Sequence, residues 1–208
     1  MSLKLKVCGM RDPRNIEALT RLAPDYMGFI FYRQSKRFVA DLDAAVVLSL
    51  PPSIKTTGVF VNESTEEVVR IALAYHLKAI QLHGSESPVD CKLIKSELPN
   101  IELIKAFGIN EDFNFEILRE YQDMVDYFLF DTQTAGHGGS GKTFNWDVLK
   151  QYTLTVPYFL SGGIGPEHTE QLKALLDPRL YAVDVNSRFE ISPALKDIDQ
   201  ITTFKNQL

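Results

Sequence analysis

The chain has 208 residues, 45% of them hydrophobic and 11% aromatic, with a formal net charge of -5. That composition suits one substantial core and excludes a disordered chain, and an acidic balance without a run of lysines or arginines excludes nucleic acid or an anionic membrane surface as the main partner. Two cysteines, Cys8 and Cys91, make neither a disulfide framework nor a close-spaced metal site; with Lys4 and Lys6 interrupting the short apolar N-terminus and no long apolar run, the expectation is a reduced, cytoplasmic protein without a signal peptide or membrane span.

Eight short apolar segments follow in order, at 3–8, 26–31, 56–61, 79–83, 102–107, 127–131, 158–161 and 181–185. Most lack polar alternation. Met27-Gly28-Phe29-Ile30-Phe31 and Tyr127-Phe128-Leu129-Phe130 read as strands covered on both faces, as in a parallel sheet. The stretches between them carry helix signals. Asp12-Pro13 opens a helix over 15–22, Ser64 and Glu67 form a capping box ahead of Val68, and helices are expected over 89–98, 167–176 after Pro166, and 194–204 after Pro193. Strand then helix, eight times over in one α/β domain spanning 1–208, predicts either a closed barrel or an open doubly wound sheet. Closure is preferred because the units are uniform and few residues remain to protect sheet edges.

In such a barrel the loops at the C-terminal strand ends share one mouth, where active sites are built. Cys8 ends the first strand. It is either a small buried hydrophobe or, given partial exposure and nearby cations, a thiolate base or nucleophile. Cys91, inside a helix, is core packing. Asp131 and Asp184 are carboxylates on apolar strands, a placement that is costly unless they are paired or used; Asp126, at the opposite end of the sixth strand, is a solvated or capping group. Arg37, after the second strand, suits bidentate recognition of a carboxylate. His83 either orients a substrate hydroxyl or is a capped rim histidine. Ser161-Gly162-Gly163-Ile164-Gly165-Pro166, together with Asn186-Ser187 after the eighth strand, offers glycine amides and a helix N-terminus for a phosphate, or else simply two tight turns. Residues 136–143 formally match a Walker nucleotide loop, but the loop is offset from its strand and followed by a short helix. A glycine-rich lid around Gly139, Ser140 and Gly141 is the better reading.

Lys6-Val7-Cys8-Gly9, Gly28-Phe29-Ile30-Phe31, Ser35-Lys36-Arg37, Gly58-Val59-Phe60-Val61-Asn62, Gln81-Leu82-His83-Gly84, the run from Gly139 to Trp146, and Ser161-Gly162-Gly163-Ile164 together resemble phosphoribosylanthranilate isomerase of tryptophan biosynthesis. The resemblance runs the length of the chain, through Asp184-Val185-Asn186-Ser187 to Asp197. It implies a (β/α)8 TIM barrel of the ribulose-phosphate-binding type and an Amadori rearrangement of N-(5-phosphoribosyl)anthranilate, an aminoaldose, to the aminoketose. No cofactor and no metal are implied, and the partner is the phosphorylated sugar-anthranilate substrate, acted on by a monomer or homodimer. By the same resemblance Cys8 is the general base and Asp131 the general acid. Arg37 pairs with the anthranilate carboxylate, Gly162, Gly163, Asn186 and Ser187 form the phosphate cradle, and Asp184 lies near the ribose. The chain departs from the pattern at Asn186-Ser187-Arg188, where Ser-Ser-Gly is common, at Pro193-Ala194, where Pro-Gly is frequent, and at Asn145, where an aspartate is common. Arg188 adds attraction for phosphate if it turns inward. A related aminoaldose isomerase of histidine biosynthesis would pair aspartates as acid and base, which Cys8 disfavours, and a catalytically dead sugar-phosphate-binding barrel would leave Cys8 and Asp131 unexplained.

Overall fold

A computed structural model describes residues 3–39, 42–133 and 143–208. Eight parallel strands close on themselves in chain order: β1 Lys4–Val7, β2 Tyr26–Ile30, β3 Lys55–Phe60, β4 Ala79–Leu82, β5 Glu102–Ile109, β6 Tyr127–Thr132, β7 Tyr158–Leu160 and β8 Leu180–Val185. The seam is the β1–β8 pair, with Lys6 opposite Asp184 and Val7 opposite Val185. The closed barrel, and not the open sheet, is the architecture. Closure leaves no edge in the main sheet.

Each strand is buried on both sides, one side meeting the outer layer and the other the barrel interior. Lys6 and Cys8, Gln81 and His83, and Asp184 and Asn186 are each two residues apart, so each pair shares a strand face. Tyr26, Ala79, Ile104, Ala106, Leu129, Phe159 and Ala182 make a separate apolar cluster, and Cys8, Ile30 and Val59 make a smaller one below the mouth. Tyr26 donates to Glu102, which also holds Lys55, a polar tie across β2, β3 and β5 at their N-terminal ends.

The outer layer is less regular than a strict repeat. Asp12 caps α1 (Pro13–Thr20), Asp43 caps α2 (Ala44–Leu48), Ser64 caps α3 (Thr65–Ala74) and Ser87 caps α4 (Pro88–Glu97). The expected box at Ser64 is half made, because Glu67 turns its carboxylate to Arg70, 2.6 Å away; the reciprocal box forms instead at Ser87 and Asp90. After β5 and β6 the described helical pieces are 3-10 turns, Phe115–Glu120 and Trp146–Gln151. Phe115 packs edge-on to Phe113 and Phe130, so bulky rings fill the layer that a longer helix would occupy. A 3-10 turn, Pro166–His168, leads into α5 (Thr169–Ala174).

The expected helix over 194–204 is corrected. β9 (Glu190–Ser192) and β10 (Leu195–Lys196) form a small antiparallel hairpin, and α6 runs Ile198–Gln207 from an Asp197 cap. Ala194 sits at the hairpin turn with φ 68, a left-handed conformation that ends any helix there. Asp126 is not simply solvated: it accepts from the Leu103 backbone at 2.7 Å and pairs with Lys95 at 2.8 Å. Cys91 is buried, and burial pushes its thiol up to about 12, consistent with packing. No helix among the described residues is long and apolar enough to cross a membrane.

Candidate active site

A cavity of about 630 Å³ opens at the C-terminal ends of the strands. Cys8, Arg37, His83, Asp131, Gly162, Gly163, Asp184, Asn186 and Ser187 all line it, as does Arg188. The proposed lid residues Gly139, Ser140 and Gly141, with most of the Walker-like stretch, lie outside the described residues.

Cys8 is buried, 4% exposed, so of the two sequence readings its burial fits the small buried side chain, while its place at the cavity fits the functional one. It follows β1, and Gly28 on the neighbouring β2 makes room for it: a Cβ at Gly28 would stand 2.8 Å from Sγ. Burial pushes the thiol above its ordinary value, partly offset by the Lys6 charge, while Asp184 adds to the rise and Lys196 opposes it. The resting group is a thiol with two ammonium groups near enough to favour its anion.

Lys6 is the buried cation beneath it. Its Nζ donates to Gln81 Oε1 and to Asp184 Oδ2, both at 2.7 Å. Burial pulls the ammonium down, but the Asp184 and Cys8 charges outweigh burial and hold it above the usual lysine value. Asp184 therefore has the donor that its apolar strand demands. Its other oxygen, Oδ1, is buried and meets no hydrogen-bond partner among the described residues.

Asp131 is held at both oxygens, Oδ1 accepting from the Thr132 backbone N–H at 2.8 Å and Oδ2 lying 3.1 Å from His83 Nε2. His83 thus serves the carboxyl directly and is a rim histidine with a partner on each ring nitrogen, the second being Gln81 at 2.8 Å. Sequence reading passed over Lys6 and Gln81. The signal was present: each stands two residues before a candidate, on the same strand face.

Arg37 meets an internal carboxylate first. Nε and Nη2 bind Glu190 side-on, at 2.8 and 2.7 Å, so two of its five N–H donors are used and the Nη1 edge remains for a ligand. Glu190 is also held by Lys196 Nζ at 2.6 Å, and the same ammonium donates to Asn186 Oδ1 at 2.6 Å. Burial pushes Glu190 up, but the Arg37 bond and Lys196 charge pull it down further, leaving it below the usual glutamate value. Lys196 is pushed below the usual lysine value by burial, against the pull of Glu190. Neither residue was legible in the sequence, because both sit in the hairpin that had been read in part as helix.

Gly162 and Gly163 take φ 90 and φ 65, in the left-handed region, and a Cβ at Gly162 would lie 2.3 Å from the Thr132 backbone nitrogen. The turn is therefore glycine by necessity, and both glycines line the cavity. The expected helix N-terminus contributes little, since a three-residue 3-10 turn and a six-residue helix follow it. Asn186 spends its side-chain oxygen on Lys196, and Arg188, at the cavity, is ion-paired with Glu167.

A model of the N-(5'-phosphoribosyl)anthranilate (PRA) isomerase family matches residues 5–207. The chain belongs to that family. The N-(5'-phosphoribosyl)anthranilate isomerase of Parabacteroides distasonis is 47% identical over 206 residues, covering 98% of this chain and 92% of the relative. The crystal structure of the phosphoribosyl anthranilate isomerase of Thermotoga maritima superposes with a TM-score of 0.86 at 34% identity, covering 99% of this chain and 98% of the other. A further crystal structure of a phosphoribosyl anthranilate isomerase, in complex with reduced 1-(o-carboxyphenylamino)-1-deoxyribulose 5-phosphate, has a TM-score of 0.83 at 31% identity, with the same coverage of each chain. This member of the family is an isomerase with a (β/α)8 barrel fold.

Proposed function

We propose that this member isomerises N-(5'-phosphoribosyl)anthranilate by an Amadori rearrangement in tryptophan biosynthesis, with Cys8 as general base and Asp131 as general acid. The observation that carries the assignment is that a thiol just after β1 and a carboxyl in β6, 123 residues apart in the chain, line one cavity, the thiol above the buried Lys6 and the carboxyl held by Thr132 and His83. Asp131 gives its proton to the furanose oxygen while the anilino nitrogen forms the iminium and the ring opens. Cys8 acts in the fraction of molecules whose thiol has first given its proton to solvent, the anion being favoured by the Lys6 and Lys196 charges; that thiolate takes the proton from ribose C2, which the iminium has made acidic, and the electron pair left behind neutralises the iminium to give the enolamine. Tautomerisation yields the ketone. One proton has left Asp131 and one has arrived on Cys8, and exchange with water restores both.

Five residues support the placement of the substrate. The free edge of Arg37 suits the anthranilate carboxylate, and Asp184 Oδ1 suits a ribose hydroxyl. The Gly162 and Gly163 amides, with Ser187, suit the phosphate. Both ends of the substrate are then anchored across the mouth, so the reacting carbons are held between acid and base. His83 supports the acid, and the Gly139–Gly141 lid stays a proposal from sequence.

The test is consumption of freshly prepared phosphoribosylanthranilate followed by fluorescence. Cys8→Ala and Asp131→Asn each remove roughly two to four powers of ten from kcat. Turnover that survives either change unaltered removes that residue from its role.

A further inference from the structure

A line of side chains crosses the barrel interior, from Lys6 on β1 through Gln81 on β4 and His83 just beyond it to Asp131 on β6. The links are 2.7 Å from Lys6 Nζ to Gln81 Oε1, 2.8 Å from Gln81 Nε2 to His83 Nδ1, and 3.1 Å from His83 Nε2 to Asp131 Oδ2. Its polarity follows from one end. A lysine ammonium has three donors and no lone pair, so only the amide oxygen of Gln81 can face it. The amide NH2 is thereby turned to His83 Nδ1, which must accept with an unprotonated lone pair. The ring proton is then on Nε2, aimed at Asp131.

We infer that Gln81, held in orientation by Lys6, is a positioning residue that locks His83 in its Nε2–H tautomer and so stops the imidazole from competing for the proton of Asp131. The inference rests on the acid role proposed for Asp131. In the opposite tautomer the basic lone pair would lie at Nε2, facing the carboxyl. It would accept the carboxyl proton that the furanose oxygen needs. A protonated Nδ1 would also bring an N–H against the Gln81 NH2, and relieving that clash by turning the amide would set its NH2 against the Lys6 ammonium. Gln81 is 1% exposed and Lys6 fully buried, so both side chains make these bonds to each other and their neighbours with little solvent contact. The buried ion pair of Lys6 with Asp184 keeps the ammonium in place. A tautomer at the acid is thus set by a charge on the opposite wall of the barrel, two side chains away.

The decisive measurement is the 15N spectrum of the His83 imidazole, assigned by its disappearance in His83→Gln. In the unaltered protein Nδ1 is expected to appear as an unprotonated, pyridine-type nitrogen and Nε2 as protonated; a protonated Nδ1 overturns the inference, and this reading needs no folded Gln81 variant. Gln81→Met is expected to lose the single tautomer and lower kcat by about 10- to 100-fold with KM within about twofold. Gln81→Glu, whose carboxylate accepts from Nδ1–H, is expected to favour the wrong tautomer and to lose more. A folded Gln81→Met protein with unchanged tautomer and unchanged kcat overturns the inference. Asp131→Asn separates the two ideas: retained turnover there removes the acid on which the inference rests, whereas lost turnover there beside an unimpaired Gln81→Met overturns the inference alone.

Discussion

Arg37 and Glu190 lie 153 residues apart and meet side-on through two hydrogen bonds of 2.8 and 2.7 Å. The contact joins the loop after β2 to the hairpin after β8, and it fixes the guanidinium plane at the cavity wall before any ligand arrives. A planar fork held on one edge presents its other edge at a set angle, which is what recognition of a substrate carboxylate requires.

Glu190→Gln releases that fork and leaves Lys196 buried without its anion. KM for phosphoribosylanthranilate is expected to rise about tenfold with kcat nearly unchanged, and stability to fall by about 3 kcal/mol in urea unfolding. The sign of the acid response follows from Glu190 being held below its ordinary value of 4.5. Its contribution is present above the unfolded value and is lost as pH falls through the lower folded one. The unaltered protein should therefore lose stability more steeply below about pH 4.5 than Glu190→Gln does. Equal slopes in the two proteins would show that the pair does not couple to folding.

Cys8 should be a slow nucleophile at neutral pH. Burial holds its thiol above 9.0, so the thiolate fraction, and with it the rate of inactivation by iodoacetamide, is expected to climb with pH to a midpoint above that of free cysteine. Lys6→Met removes a charge that favours the thiolate and moves the midpoint higher still. A midpoint below that of free cysteine in the unaltered protein would contradict the burial argument.

Ala194→Gly should stabilise the fold. Ala194 holds φ 68 at the hairpin turn, where a Cβ costs about 1–2 kcal/mol and glycine's extra unfolded freedom returns part of the difference. A net gain of roughly 0.5–1 kcal/mol is expected, read as a higher Tm with activity unchanged. The Pro-Gly pattern from which the chain departs at this point has its physical reason in the same angle.

Gly162→Ala should damage both binding and chemistry. The new methyl would stand 2.3 Å from the Thr132 backbone nitrogen and 2.8 Å from Asp131 Oδ1, so the phosphate turn or the carboxyl must move. A rise in KM together with a fall in kcat is expected, and a fall in KM alone would argue against the placement of the phosphate.

The sequence by itself determined the eight strands within one or two residues, the helix caps at Asp12 and Ser64, and the set of rim residues that line the cavity. Those are local matters: runs of apolar residues, cap chemistry, and glycine or carboxylate placed at strand ends. It also suggested closure, since uniform units leave nothing to cover an edge. The partnerships were decided only by the tertiary structure. Lys6 meets Gln81 across 75 residues and Asp184 across 178, and no local pattern in three apolar strands says which inward-facing polar groups will touch once the sheet closes. The hairpin that carries Glu190 and Lys196 escaped notice for a related reason. Its short strands are tied to the rim by the bonds that Glu190 and Lys196 make to Arg37 and Asn186, and those partners are in reach only after β2 and β8 have been brought to the same rim.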